Sequence, residues 1–455
     1  MTNLSSLPGF GAASSGGSGV SEYTGSFVLD AKSFDLTDES KSLQVTDLYN
    51  YAHPVRIRGF DTNTDAYMGF NCMVQNGAGG NMQHNFTMFT ANQANGVITK
   101  QQCTTMHNNG SSTYDYSTFD SCTDEWTGRY TYHGHIPRNN SNHIYGYDQC
   151  FVTDVNGSKA SSHTNSSTFY PAGNDRVSSA WLAPAERRHG GASRHFLASY
   201  ASADSKARVL EFYYNYSTSQ LNASRSWSAP FATSLTSTNW QVTLFNQWDV
   251  TNLPHYDAFH SFQEGLYAHN RSSDSWGNLG SAYGLSNGWS AFYLSNGGIF
   301  LSGGGSYYLI TQGGQISTVS STTVDAPMGL AKYNWANFCV NVGEDEWLLA
   351  LPDASFMKFK INPTTGAVSS SNVVKVNELA NIQYDQYFHY NRGLWSGFST
   401  TTVIPSGQLF TFGNENTNGY GYGKSKMMYV GSSNQSRLIN VATYDLTGLL
   451  AEFSY

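Results

Sequence analysis

From about residue 50 to the C terminus, short stretches of alternating apolar and polar residues are repeatedly interrupted by small polar turns. The clearest example spans residues 357–368, in which the alternation leads into Asn-Pro-Thr-Thr-Gly366 and then resumes. Alternation with a period of two predicts a strand with one buried face, and Asn-Gly or Thr-Gly supplies the positive φ of a tight turn. We interpret seven such segments as β-hairpins, with turns near residues 96, 157, 218, 277, 314, 366 and 448.

The hairpins recur at intervals of tens of residues, which indicates a repeat architecture. Further strand candidates lie between them, at residues 194–200, 291–294, 347–351 and 408–412. Four-stranded units of this length are typical of propeller blades, and residues 51–455 give about 58 residues per unit if there are seven. The sequence therefore predicts an all-β protein, a β-propeller of six or seven blades. Tandem β-sandwiches are the alternative.

A propeller must close its ring, because an open sheet edge invites aggregation. The last predicted strands, residues 438–444 and 449–455, run to the C terminus. A strand near residues 27–29 or 43–45 is expected to complete the last blade. We therefore divide the chain into an arm at residues 1–20, a linker and closing-strand segment at 21–50, and a repeat body at 51–455.

The first twenty residues are rich in Gly and Ser, with no basic or apolar run of the kind found in a secretory signal. Such a segment cannot bury enough apolar area to offset its ordering entropy, so a flexible arm is expected. It carries four residues that could dock into a partner, namely Leu4, Leu7, Pro8 and Phe10. We predict that they dock into a groove of a partner, and a frayed terminus is the alternative.

Composition narrows the classes of protein further. Charged residues make up 12% of the chain, against about 25% in ordinary soluble domains. Aromatic residues make up 15% and the net charge is −8. A coiled coil, a disordered chain and a basic nucleic-acid binder are excluded. The five cysteines are expected to be buried free thiols, with a Cys103–Cys122 bridge as the alternative.

Three local clusters could carry chemistry. His133 and His135 could share a strand face, as paired metal ligands do, but no third ligand is evident. Glu344 and Glu346 could split their pKa values across a shared face, although a solvated turn before Trp347 is the favoured interpretation. The cationic stretch at residues 187–195 could hold an anionic group, but no phosphate-loop motif surrounds it. We predict no catalytic residue, metal or cofactor, and no enzyme activity.

Tyrosines cluster among polar neighbours. Tyrosine offers rigid amphipathic contact area for sugars and protein interfaces, whereas packing between blades would use the same residues. The clustered residues are Tyr114, Tyr116, Tyr130, Tyr132, Tyr145, Tyr147, Tyr384, Tyr387, Tyr390, Tyr420 and Tyr422.

An apolar peptide on a Gly/Ser tether, followed by a low-charge body rich in Gly, Asn and Tyr, resembles the virion structural proteins of tailed bacteriophages, particularly marine phages. The hairpin at residues 359–368 is similar to repeats in phage tail propeller proteins. The resemblance implies assembly in the host cytoplasm, localisation in the virion, contacts with other virion proteins and a homo-oligomer. It also implies that residues 1–20 anchor the protein to the particle through Leu4, Leu7, Pro8 and Phe10.

Two virion roles are consistent with that resemblance. One is a tail component, a nozzle or fibre/adaptor subunit, whose acidic charge would repel DNA in a channel. The other is a peripheral protein that contacts host surface glycans. A stand-alone carbohydrate-binding propeller (a lectin) or glycosidase is the alternative function. No membrane span and no sequence-specific binding of nucleic acid are expected.

Overall fold

The computed structural model describes part of the chain, and every statement below refers to that part. It comprises residues 20–35, 45–57, 65–76, 82–108, 118–123, 130–136, 148–154, 159–165, 177–189, 192–201, 206–215, 218, 220–228, 243–245, 256–262, 265–270, 275–280, 289–303, 306–311, 315–324, 339–351, 355–380, 407–412, 425–432 and 438–455.

The described residues form seven sheets, five of which consist of four consecutive antiparallel strands hydrogen-bonded in chain order. The first three are β3 (Val45–Ile57), β4 (Asp65–Asn76), β5 (Met82–Asn92) and β6 (Ile98–Asn108); β7 (Thr118–Thr123), β8 (Tyr130–Ile136), β9 (Asp148–Asp154) and β10 (Lys159–Asn165); and β11 (Val177–His189), β12 (Ala192–Ala201), β13 (Lys206–Asn215) and β14 (Gln220–Ser228). The next two are β15 (Thr243–Phe245), β16 (Tyr256–Phe262), β17 (Gly265–Asn270) and β18 (Ser275–Gly280); and β19 (Trp289–Tyr293), β20 (Ile299–Gly303), β21 (Ser306–Ile310) and β22 (Ile316–Val319).

The last two sheets each include a strand from the N-terminal segment. One contains β23 (Cys339–Gly343), β24 (Glu346–Ala350), β25 (Ser355–Ile361) and β26 (Val368–Val376), and adds β1 (Ser21–Tyr23) in parallel at its outer edge. The other contains β27 (Gly407–Phe412), β28 (Lys426–Ser432) and β29 (Leu438–Asp445), and is completed by β2 (Val28–Asp35). The helical elements are a 3₁₀ turn (Ser321–Thr323), α1 (Asn377–Ala380) and α2 (Thr447–Leu450).

The first strands of successive sheets lie beside one another. β3 contacts β7, β7 contacts β11 and β11 contacts β15. At the other end of the chain β23 contacts β27, and β27 contacts β3. The last sheet therefore packs against the first, as a ring requires, and the fold is a β-propeller.

The ring is closed by the pairing of β2 with β29. Their antiparallel register runs from Val28 opposite Tyr444 to Asp35 opposite Leu438. Of the two segments considered for this role, residues 27–29 reach into this strand, whereas Val45 begins β3 in the first sheet. The strands of the repeat body therefore begin at residue 45, within the segment assigned to residues 21–50.

Two apolar clusters fill the spaces on either side of the β23–β26 sheet. One joins it to the β19–β22 sheet and is centred on Phe292, Trp347 and Phe359, whose rings lie 5.3–5.7 Å apart. The other joins it to the last sheet through Phe27 and Tyr444, among other residues. Because alternate residues of β24 face opposite sides of the sheet, Trp347 enters the first cluster and Leu348 the second.

Two turn predictions and one strand prediction are wrong. Trp276 and Gly277 lie inside β18. Asn270 of β17 is paired with Ser275 of β18, so the connection between the two strands precedes Trp276. Gly448 lies in helix α2 and not in a hairpin turn. Residues 449–455 form the end of α2, a turn and a tail without regular structure, and not a strand, because the edge of β29 that they would occupy is already paired with β2.

One turn geometry recurs at the third hairpin of two sheets. In the turn from Asn92 to Gly96, the Asn92 side chain accepts hydrogen bonds from the backbone N–H groups of Ala94 and Asn95. Gly96 N donates to Asn92 O at 2.8 Å. In the turn from Asn362 to Gly366, the Asn362 side chain likewise accepts hydrogen bonds from the N–H groups two and three residues later, and Gly366 N donates to Asn362 O at 2.8 Å. Asparagine favours this turn because its side chain hydrogen-bonds to the backbone two residues on.

Both glycines dock their turn against the preceding sheet. Gly96 has φ of 75° and Gly366 of 71°, values that residues with a Cβ rarely adopt. A Cβ at Gly96 would lie 2.7 Å from Leu29 of β2, and one at Gly366 would lie 2.5 Å from Val319 of β22. Each glycine is therefore needed for both its backbone conformation and its close contact between sheets.

We predict that Gly96→Ala lowers the free energy of unfolding by about 2–3 kcal/mol, through left-handed strain and overpacking. Ala94→Ser is the matched control, because Ala94 is exposed in the same turn and should change little. Urea denaturation monitored by tryptophan fluorescence measures both variants. Equal midpoints for Gly96→Ala and wild type would contradict the assigned docking.

Candidate functional site

The structure brings the first described residues and the C-terminal residues together on one sheet. We call this region the terminal junction and define it as residues 20–28, 372–378 and 446–455. The chain enters the described structure at Val20, whose exposed fraction is 56%, immediately before β1. The predicted anchor residues Leu4, Leu7, Pro8 and Phe10 precede Val20 in the chain, so the junction is where the predicted arm would be attached. Those four residues lie outside the described part of the chain.

β1 occupies the outer edge of the sheet. Its three residues pair in parallel with Val374, Lys375 and Val376 of β26. The Asn377 side chain donates a hydrogen bond to Glu22 at 3.1 Å. The arm therefore leaves from the rim of the propeller.

Phe27 fixes the segment that follows β1. Its side chain is fully buried and stacks on Tyr444 with ring centroids 4.7 Å apart. The Glu378 carboxylate accepts hydrogen bonds from the backbone N–H groups of Phe27 and Val28, and Asp445 N donates to Phe27 O at 2.8 Å. Charge-assisted bonds of this kind are stronger than neutral ones, so Phe27 is held through both its ring and its backbone.

Asn372 binds both ends of the chain. Its Oδ1 accepts a hydrogen bond from Ser454 N at 2.7 Å, and its own backbone N donates to Ser454 O at 3.0 Å. Its Nδ2 donates to Glu452 O at 3.1 Å and to Ser21 Oγ at 3.4 Å. The C-terminal tail and β1 therefore share one side chain of β26.

A β-bulge makes Asn372 available. Lys358 of β25 faces two residues, Ser371 and Asn372, because the register shifts between Met357 and Phe359. Ser371 Oγ accepts the hydrogen bond from Lys358 N at 2.9 Å. Asn372 is thereby released from the sheet ladder and directed toward the tail, as bulges commonly redirect a side chain.

Aromatic and charged groups hold the end of the tail. Tyr455 donates a hydrogen bond to Glu346 Oε1 at 2.5 Å, and Lys358 Nζ lies 3.0 Å from the same oxygen. Lys358 Nζ also lies 5.4 Å from the Tyr455 ring centroid and 5.9 Å from that of Phe453, within cation–π range. Burial and the Glu346 carboxylate raise the pKa of Tyr455 above its ordinary range, so the phenol stays protonated and donates.

A second polar group joins the closing strand to the first sheet. Asp30 Oδ2 accepts a hydrogen bond from Ile98 N at 2.8 Å, and Lys32 Nζ donates to Ile98 O at 2.6 Å. Lys32 Nζ lies 3.0 Å from Asp30 Oδ2, so the two residues form an ion pair. Burial alone would raise the pKa of Asp30, but the bonds from Ile98, Lys32 and Ala31 outweigh burial and lower it.

The acidic run at residues 344–346 has a structural role. Asp345 is buried in a left-handed conformation with φ of 53°, and its carboxylate accepts hydrogen bonds from Ser295 N at 2.7 Å and Ser295 Oγ at 2.5 Å. It ties the β23–β24 turn to the neighbouring sheet. Glu344 is exposed, while Glu346 binds Lys358 and Tyr455, so the three carboxylates do not form one site.

The other two sequence candidates lie elsewhere. His133 and His135 belong to β8, and residues 187–195 include the end of β11 and the start of β12. Among the residues described, no group of three His, Cys, Asp or Glu side chains could hold a metal ion. The two short helices of this part are too short to cross a membrane.

Comparisons with known proteins found similar structures but no similar sequence. No known protein family and no curated protein matches the chain. The yeast Saccharomyces cerevisiae protein Sqt1 is similar over 91% of this chain and 97% of its own, with 10% identity and a TM-score of 0.45. The α-L-arabinofuranosidase Arb93A of Fusarium graminearum is similar over 94% of this chain and 99% of its own, with 8% identity and a TM-score of 0.43. A fucose-specific lectin from Aleuria aurantia is similar over 73% of this chain and 97% of its own, with 13% identity and a TM-score of 0.35. No functional residue is carried over at these identities.

We predict that Asp30→Asn lowers the free energy of unfolding at pH 7 by about 1 kcal/mol. The loss is modest because the Asp30–Lys32 ion pair is partly exposed. A lowered folded-state pKa stabilises the protein above the ordinary carboxyl value of about 4, and this contribution is lost as the pH falls through the folded-state value. Unfolding curves from pH 7 to pH 2 should therefore converge for wild type and variant at the acidic end. Glu344→Gln, at an exposed carboxylate, is the control, and a constant Asp30→Asn deficit at all pH values would refute the ion-pair role.

Proposed function

We propose that the protein is a structural component of a bacteriophage virion, a β-propeller attached to the particle by residues 1–20. Within the virion it serves as a tail protein, a nozzle or fibre/adaptor subunit that contributes to assembly and host contact. It assembles in the host cytoplasm with other virion proteins and with further copies of itself.

The observation that carries this proposal is the separation of arm and closing strand. The ring is closed by β2, whereas the arm continues from β1, which lies outside β26 at the rim. An arm attached in this way can engage a partner while the last sheet remains complete, which is what an anchor requires.

The net charge and the composition support the same proposal. A charge of −8 with only 12% charged residues is consistent with a subunit that contacts other subunits broadly and repels DNA. Val20, at the arm attachment point, is an exposed apolar side chain.

The test is incorporation of variants into phage particles during infection by the phage that encodes the protein. Leu7→Asp with Phe10→Asp should reduce incorporation strongly, because it places two charges in the apolar anchor, and deletion of residues 1–20 should reduce it at least as much, because it removes the anchor entirely. Ser14→Asp with Ser15→Asp adds the same charge to the same arm without altering an anchor residue, and should incorporate normally.

Gradient-purified particles are probed with an antibody against the body, and circular dichroism confirms that each variant is folded. Normal incorporation of the Leu7→Asp/Phe10→Asp variant would overturn the proposal. A stand-alone carbohydrate-binding propeller predicts instead that the deletion variant keeps full sugar binding on a glycan array and that the wild type is absent from particles.

A further inference from the structure

The N-terminal segment contains one weak attachment and one strong attachment in succession. β1 has only three residues and adds in parallel to a sheet whose four other strands are already complete. Parallel pairing is slightly weaker per residue than antiparallel pairing. Glu22 and the flanking Thr24 and Ser26 are exposed. Tyr23, the one apolar residue of β1, is only partly buried against the cluster that contains Phe27, so a single side chain supplies the apolar burial of this strand.

Helix α2 and the tail that follows it, together called the C-terminal tail below, support β1. A Cβ at Gly448 of α2 would lie 2.2 Å from the Tyr23 hydroxyl, so Tyr23 lies directly against this glycine. At the other end of β1, Asn372 links Ser21 to Ser454 of the tail. β1 is therefore held between β26 on one side and the tail at both of its ends.

The strong attachment begins at Phe27. Its buried ring lies in the cluster between the last two sheets, its N–H and that of Val28 bind Glu378, and β2 follows with its full antiparallel register. Phe27 therefore belongs with the closing strand β2, whereas β1 takes no part in the β2–β29 register. The boundary between the two attachments therefore lies at residues 24–26.

We propose that β1 is a releasable length of tether, kept against the body by the C-terminal tail and limited by Phe27. When β1 detaches, residues 20–26 join the arm and lengthen it by up to about 23 Å, while the propeller stays closed. The arm then reaches a partner at two defined lengths. This use of the arm rests on the proposed function, but the detachment is a property of the isolated protein.

Gly448→Ala tests the proposal because its new methyl group displaces Tyr23 while alanine remains a good helix former in α2. Hydrogen–deuterium exchange of the full chain is followed in peptides covering residues 20–26 and residues 28–35. The variant should speed exchange in the first peptide by about tenfold, a loss of about 1.4 kcal/mol, and leave the second unchanged. Thr447→Ala, at the exposed neighbouring position of the same helix, should change neither peptide.

Removal of residues 452–455 gives an independent test, because it deletes the Ser454 and Glu452 partners of Asn372. Of the two N-terminal peptides, it should also speed exchange only in the one covering residues 20–26. The proposal is wrong if Gly448→Ala matches Thr447→Ala, or if residues 28–35 accelerate together with residues 20–26. Either result leaves particle incorporation through the arm unaffected, so the two proposals fail separately.

Discussion

The antiparallel pairing of β2 with β29 is the interaction on which the rest of the structure depends. It joins residues that are about 400 positions apart in sequence, with Val28 opposite Tyr444. Without it the last sheet has three strands and an open edge, and open edges pair with other chains. Closing a loop of this length costs entropy, and this cost is offset by the buried cluster around Phe27 and by the Asp30–Lys32 contacts with Ile98.

The terminal junction gives neighbouring residues different tasks. β2 completes the ring, Phe27 fixes the segment in the apolar cluster, and β1 lies at the rim where the arm begins. Asn372 connects β1 with the tail because a bulge removes it from the ladder of its own sheet. Closure and attachment are therefore adjacent in sequence but depend on different contacts, which allows one to change without the other.

The hairpins were predictable because their alternation and their Asn and Gly residues are local signals. The hairpin turns at residues 96 and 366 were located correctly for this reason. The turn at 277 was misplaced because the turn before β18 carries no glycine, and the last segment was misread because the sequence does not reveal that β29 is already paired. Asn372 and Glu378 could not be found from sequence, since their partners lie about 80 and 350 residues away.

The closing pair is tested most directly by a disulfide between its two strands. Ser33 Oγ donates a hydrogen bond to Asn440 Oδ1 at 2.7 Å across the β2–β29 pair, so Ser33→Cys with Asn440→Cys should oxidise to an intramolecular disulfide. Lys32→Cys with Asn440→Cys is the control, since alternation directs residue 32 to the other face. Peptide mapping under non-reducing conditions should find the 33–440 link within one chain. Absence of that link, or a link only between two chains, would contradict closure by β2.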